Sequence, residues 1–208
     1  QNHRWDLLSR TSTSPEEGPD SSSRGKSMET MDIPEFRARI LSLFERVFQA
    51  KELLVHRSMR EYGEFFDLGT LPLEQHPTLW DFALSEAIRF HSSPENELLH
   101  PSETTTFSPS NPAWSEGEQF LGLSFPGDSP LQRSLSLWRE LLSFFQRAGY
   151  PEAFASADLD RLEFLDAHTP KSQESDSLLL ERIEGREKRL SPSSPLLAMV
   201  AYRKARLL

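Results

Sequence analysis

The chain contains no cysteine, so disulfides, thiolate zinc sites and a cysteine nucleophile are all excluded. Basic charge is scarce as well. Against 32 Asp and Glu stand 23 Lys and Arg, a formal net charge of −9. Neutralising phosphates supplies most nonspecific affinity for nucleic acid, so this balance disfavours a nucleic-acid partner and an anionic membrane as the main partner. No apolar run approaches the ~18 residues of a transmembrane helix. Glycine-rich phosphate loops, the dinucleotide fingerprint and His-Glu-x-x-His are missing too. The first residues lack the basic-then-apolar layout of a secretory leader. A soluble intracellular protein is therefore expected, cytoplasmic by default, with organelle import after processing the other route.

What is present reads as helix. From Ser129 to Tyr150, SPLQRSLSLWRELLSFFQRAGY carries a Ser-x-x-Gln capping signal, proline at the first helical position, and Gly149 with Pro151 to stop it. Leu131, Leu135, Trp138, Leu142 and Phe145 form one row at helical spacing, with Leu137, Leu141, Phe144 and Ala148 beside it. One neighbour cannot cover a face this wide, so at least two other helices should pack on it.

Earlier in the chain, residues 1–31 are rich in Ser, Pro, Gly and charge and are expected to be a flexible arm. Asp32, Pro34 and Glu35 then open a helix whose apolar repeat predicts continuation to about Tyr62, with Gly63 as terminator and a length of roughly 45 Å. A packed loop follows, then a helix from His76 or Thr78 to about His91. Residues 92–118 read as a long Pro/Ser-rich loop, and Gln119–Phe125 as a short extended segment or a helical turn. A fourth helix spans Pro151 to Ala167, with Asp158, Asp160, Glu163 and Asp166 on a wet outer face. A fifth is seeded by Leu178 to Ile183. The last, residues 194–208, is apolar first and basic at its end, which suits the helix dipole. The fold expected is all-α: an irregular bundle of five or six helices, one domain over residues 32–208, with a disordered N-terminal arm.

No catalytic constellation emerges. Ser124 in GLSFPG departs from a nucleophile elbow because proline takes the second glycine position. Glu52 and His56 stand four apart, as zinc-binding pairs do, and His91 and His100 flank Glu95 and Glu97, yet neither set has the spacing of a ligand shell. No metal and no cofactor is expected. The function expected is a non-catalytic interaction module, an adaptor or complex subunit binding a protein partner through apolar helix surface. Trp5 and Leu8 in the arm, and Leu196, Val200, Arg203 and Lys204 in the last helix, are its proposed contacts. The last helix has three roles open to it: closing the core, docking into a groove, or lying on a membrane. Among seven Ser/Thr-Pro dipeptides, the loop members Ser14, Ser93 and Ser108 are candidate phosphosites. Two other classes stand beside the adaptor: a peripheral lipid-contacting protein, and an enzyme whose His56, His76, His91 or His100 meets Glu52 or Glu97 only in the fold.

Overall fold

A computed structural model of the chain describes residues 31–65, 75–93 and 106–207. The expected arm with Trp5, Leu8 and Ser14 lies outside these residues, as do His100 and Glu97. All regular structure among them is helical, with no strand; one isolated bridge joins Ser58 and Thr78. The chain divides into two compact units, Gln1–Lys51 and Glu52–Leu208.

In the first unit, α1 spans Ile33–Gln49. Its start is the predicted capping box. Asp32 Oδ1 accepts from the Glu35 N–H at 2.8 Å, and Glu35 returns a bond to the Asp32 N–H at 3.4 Å. No residue of α1 is buried.

The single long helix expected to reach Tyr62 does not form. It stops at Ala50, and α2 (Lys51–Leu54) adds one turn before the chain leaves helical geometry. The competing interaction lies across the sequence. Met59 N–H donates to the Pro77 carbonyl (3.3 Å) and Leu79 N–H to the Arg57 carbonyl (2.9 Å), which buries Met59. Ser58 then starts a 3-10 segment, Met59–Phe65, by accepting from the Arg60 N–H. A hydrophobic period alone cannot report such a pairing, because the apolar residues remain apolar whichever element carries them.

The second unit is built from helices that pack largely in chain order. They are α3 (Leu79–His91), the short α4 (Gly117–Phe120), α5 (Pro130–Ala148), α6 (Pro151–Ala167), α7 (Gln173–Glu187) and α8 (Leu196–Ala205). α3 and α6 both pack on α5, α7 packs on α6, and α8 on α7. The central helix obeys its sequence closely. Ser129 Oγ accepts from the Gln132 N–H. At the other end Gly149 is left-handed (φ 73°, ψ 38°), and Tyr150 N–H reaches the Phe145 carbonyl at 3.0 Å, closing the turn that glycine permits. Its buried positions include Leu131, Leu135, Trp138, Leu141, Leu142, Phe144 and Phe145.

Residues 106–118 are a packed connection. Phe107 and Trp114 are buried, a 3-10 turn (Pro112–Trp114) seats on α6, and α4 reaches only Gln119 and Phe120 of the stretch 119–125 expected to be extended or a helical turn. α6 corrects a second expectation. Eleven of its residues are buried, Asp158 among them, so Asp158 belongs to no wet face. With α5, α7 and the Pro112–Trp114 turn all packed on it, this helix has little arc left for water.

Candidate interaction surface

The charge that α6 buries is paired. Asp158 Oδ1 accepts from Arg161 Nε (2.9 Å) and Nη2 (2.7 Å), while Oδ2 accepts from Arg186 on α7. Arg161, fully buried, spends its other donors on the carbonyls of Ala113 and Ser115 and lies 4.3 Å from the centre of the Phe120 ring. Burial pushes its guanidinium below the ordinary value, opposed by the charge of Asp158. Around this core, Arg189 holds Glu116 and Glu118, and its hydrogen bond to Glu116 first of all raises its pKa. The network pins the 113–118 segment and α4 to α6 and α7. Arg161, Arg186 and Arg189 each meet a carboxylate within the chain, so the network holds the fold together.

Of the residues proposed from sequence as contacts in the last helix, Leu196 and Val200 are buried. Arg203 is buried too, its Nε 3.0 Å from Glu163 Oε1 and its Nη2 on Asp160, both on α6. Lys204 Nζ lies 2.8 Å from Glu187 of α7, a bond that raises its pKa. The opposite side of α8 carries Tyr202, 65% exposed, with the Arg206 guanidinium 5.9 Å from its ring centre. Ser93 is half-buried and Ser108 exposed.

Of the histidines and carboxylates named for an enzyme, His56, His76, His91 and Glu52 fall among the described residues. α2 ends at Leu54, so Glu52 and His56 share no helix face, and both are exposed. His76 has a different partner, Asp81, which no sequence pattern flagged for it. His76 Nδ1 sits 3.2 Å from Asp81 Oδ2, and the fully buried Asp81 also accepts the Thr78 N–H at 2.7 Å as the capping box of α3. The signal was Thr-x-x-Asp, a local cap; its second use on His76 depends on the turn before α3. His76, Ser85 and Arg89 line one side of a cleft of about 270 Å³, with Trp138 and Phe145 of α5 and Ser156 and Asp160 of α6 on the others. Among the described residues no group of three or more His, Asp or Glu is placed to hold a metal, and no helix is long and apolar enough to cross a membrane.

Among the described residues of the second unit, Trp80, Trp114, Trp138, Phe120 and Phe145 are inside. α1 is different. Phe36, Ile40, Leu43 and Val47 recur at i, i+4, i+7 and i+11 as one row, yet Phe36 is 38% and Leu43 50% exposed. Beside that row, at the same spacing, runs Glu35, Arg39, Ser42 and Arg46.

No family model, no curated protein and no solved structure matches the chain.

Proposed function

We propose that the protein is a non-catalytic interaction module in which α1 is the docking element and the second unit a packed helical body. One observation carries this reading: a helix of 17 residues, opened by a capping box, bears a row of large apolar side chains and buries none of them. Helix-in-groove recognition uses such anchors at i, i+4, i+7 and i+11. The occupant that fits is a protein groove with an apolar floor and an acidic rim, since Arg39 and Arg46 flank the row. An adaptor or complex subunit needs this arrangement, affinity from apolar anchors and orientation from the neighbouring cations.

A photo-crosslinking amino acid placed at Leu43 or at Ser42 of the full chain tests the reading in extract of the native source. One discrete protein adduct from position 43, weak from 42 and lost on Phe36→Glu, is expected. An adduct of twice the chain's mass would identify a second copy as the occupant instead. Equal labelling from both positions, or none from 43, overturns the proposal.

A second reading has one observation in its favour. The cleft beside α3 presents His76 held by a buried carboxylate next to Trp138 and Ser156, and mixed apolar and polar clefts of this kind take small molecules. Saturable quenching of Trp138 by a member of a small-metabolite panel, abolished by His76→Ala, would favour it over the docking module.

A further inference from the structure

Seven Ser/Thr-Pro dipeptides look alike in the sequence, and the fold separates them. Ser129 caps α5. Thr169 is buried with its hydroxyl on the Leu165 carbonyl (2.7 Å), and Ser194 is buried with its hydroxyl on Glu152 (2.7 Å). Ser93 is half-buried and Ser14 lies outside the described residues. Ser108 and Ser191 are the exposed ones. Ser108 follows Phe107, which is buried and whose N–H is held by the His168 carbonyl at 2.9 Å. Drawing Ser108 into a kinase cleft would pull that ring from the core. Ser191, in the turn between α7 and α8, has exposed Lys188 and Arg189 before it and exposed Pro192 and Ser193 after it, the kind of polar connection that enzymes reach most easily.

The surroundings of Ser191 matter as much as its exposure. It lines a groove of about 480 Å³ together with Arg186, Arg189, Glu118 and Glu152. Two guanidinium groups and two carboxylates balance there. Arg186 is anchored from its other side by Asp158, whereas Arg189 is exposed and held by two carboxylates, Glu116 and, at 2.8 Å, Glu118.

We propose that Ser191 is the substrate of a proline-directed protein kinase, and that the phosphate placed there draws Arg189 away from Glu118. In the transfer, the Ser191 hydroxyl oxygen bonds to the γ-phosphorus of ATP as the β–γ bridge breaks. ADP leaves, and the hydroxyl proton passes to the kinase's base. The product carries about −1.5 to −2 charges at neutral pH and three acceptor oxygens. Added to a groove whose lining is otherwise neutral, it competes with Glu116 and Glu118 for the exposed guanidinium of Arg189. A phosphate takes a guanidinium through bidentate, charge-assisted hydrogen bonds, and its second negative charge weights the competition against a single carboxylate. Glu118 is repelled as its cation departs, and α4 loses a restraint toward α7.

The test incubates the full chain with MgATP and a proline-directed serine/threonine kinase, beside Ser191→Ala and Ser108→Ala. Phosphate is mapped by mass spectrometry, and amide exchange over residues 117–121 is followed. Expected are a dominant phosphate on Ser191 that Ser191→Ala removes and Ser108→Ala does not, and exchange in 117–121 that speeds a few-fold, the scale set by exposed ion pairs. Arg189→Ala should speed the same amides without phosphate. Phosphate confined to Ser108 or Ser14 overturns the site. Phosphate on Ser191 with unchanged exchange overturns the role of Arg189.

Discussion

Replacing Asp158 by alanine removes one carboxylate shared by two cations and leaves Arg161 with none. In the native protein its oxygens take three donors, two from Arg161 and one from Arg186. Arg186 keeps a second acidic neighbour, Glu118 at 3.6 Å, but Arg161 retains only backbone carbonyls. Removing one partner of a buried pair costs about 3 to 5 kcal/mol, because the remaining charge stays desolvated without compensation. For a domain of this size the urea slope is about 2 kcal/mol per molar, so the midpoint should fall by about 2 M. The assay is equilibrium urea unfolding followed by tryptophan fluorescence, to which Trp114, beside the Arg161-bound carbonyls of Ala113 and Ser115, contributes directly. Asp158→Leu combined with Arg161→Leu should recover part of the loss, since a well-packed apolar pair is often as stable as the buried ions it replaces. A midpoint shift below about 0.5 M for Asp158→Ala, under ~1 kcal/mol, would refute the claim that this carboxylate is the hub of the network.

Trp138 is buried and its indole N–H has no acceptor among the described residues, so ring volume and polar atom can be separated. Trp138→Ala should cost about 3 to 5 kcal/mol in the same melt, whereas Trp138→Phe, which also removes an unsatisfied donor, should cost under ~1.5 kcal/mol. Equal losses from the two would mean that the N–H is satisfied after all. At Gly149 the backbone has φ 73° and an added Cβ would meet nothing within 4 Å. Gly149→Ala should therefore cost about 1 kcal/mol through backbone strain alone, with Gly149→Asn milder; a neutral alanine in a thermal melt would show that the turn relaxes.

How legible each part was follows from the range of the interactions that decide it. α5 was readable end to end because Ser129, Pro130, Gly149 and Pro151 act on backbone groups within a turn of themselves. The end of α1 was not, because what breaks the pattern is the pairing of residues 57–59 with 77–79, and nothing near Ala50 announces it. Asp158 misled for a related reason. Its i+3 partner Arg161 is visible in sequence, but Arg186 lies 28 residues on, and an acidic residue on a helix is ordinarily wet. The exposed row of α1 and the buried rows of α5 share one hydrophobic period, and only the fold tells them apart.

The arginine clamp also imposes an order of events on synthesis. Arg161 emerges from the ribosome 48 residues after the Ala113 carbonyl it binds, and Arg189 emerges 73 after Glu116. Until α7 is out, a nascent chain holds Asp158 with half its cations, and the stretch carrying Trp114 has no latch on its acidic side. Completion of this corner is thus a late, vectorial step, and a nascent chain arrested before Arg186 lacks the cations that hold Asp158 Oδ2, Glu116 and Glu118.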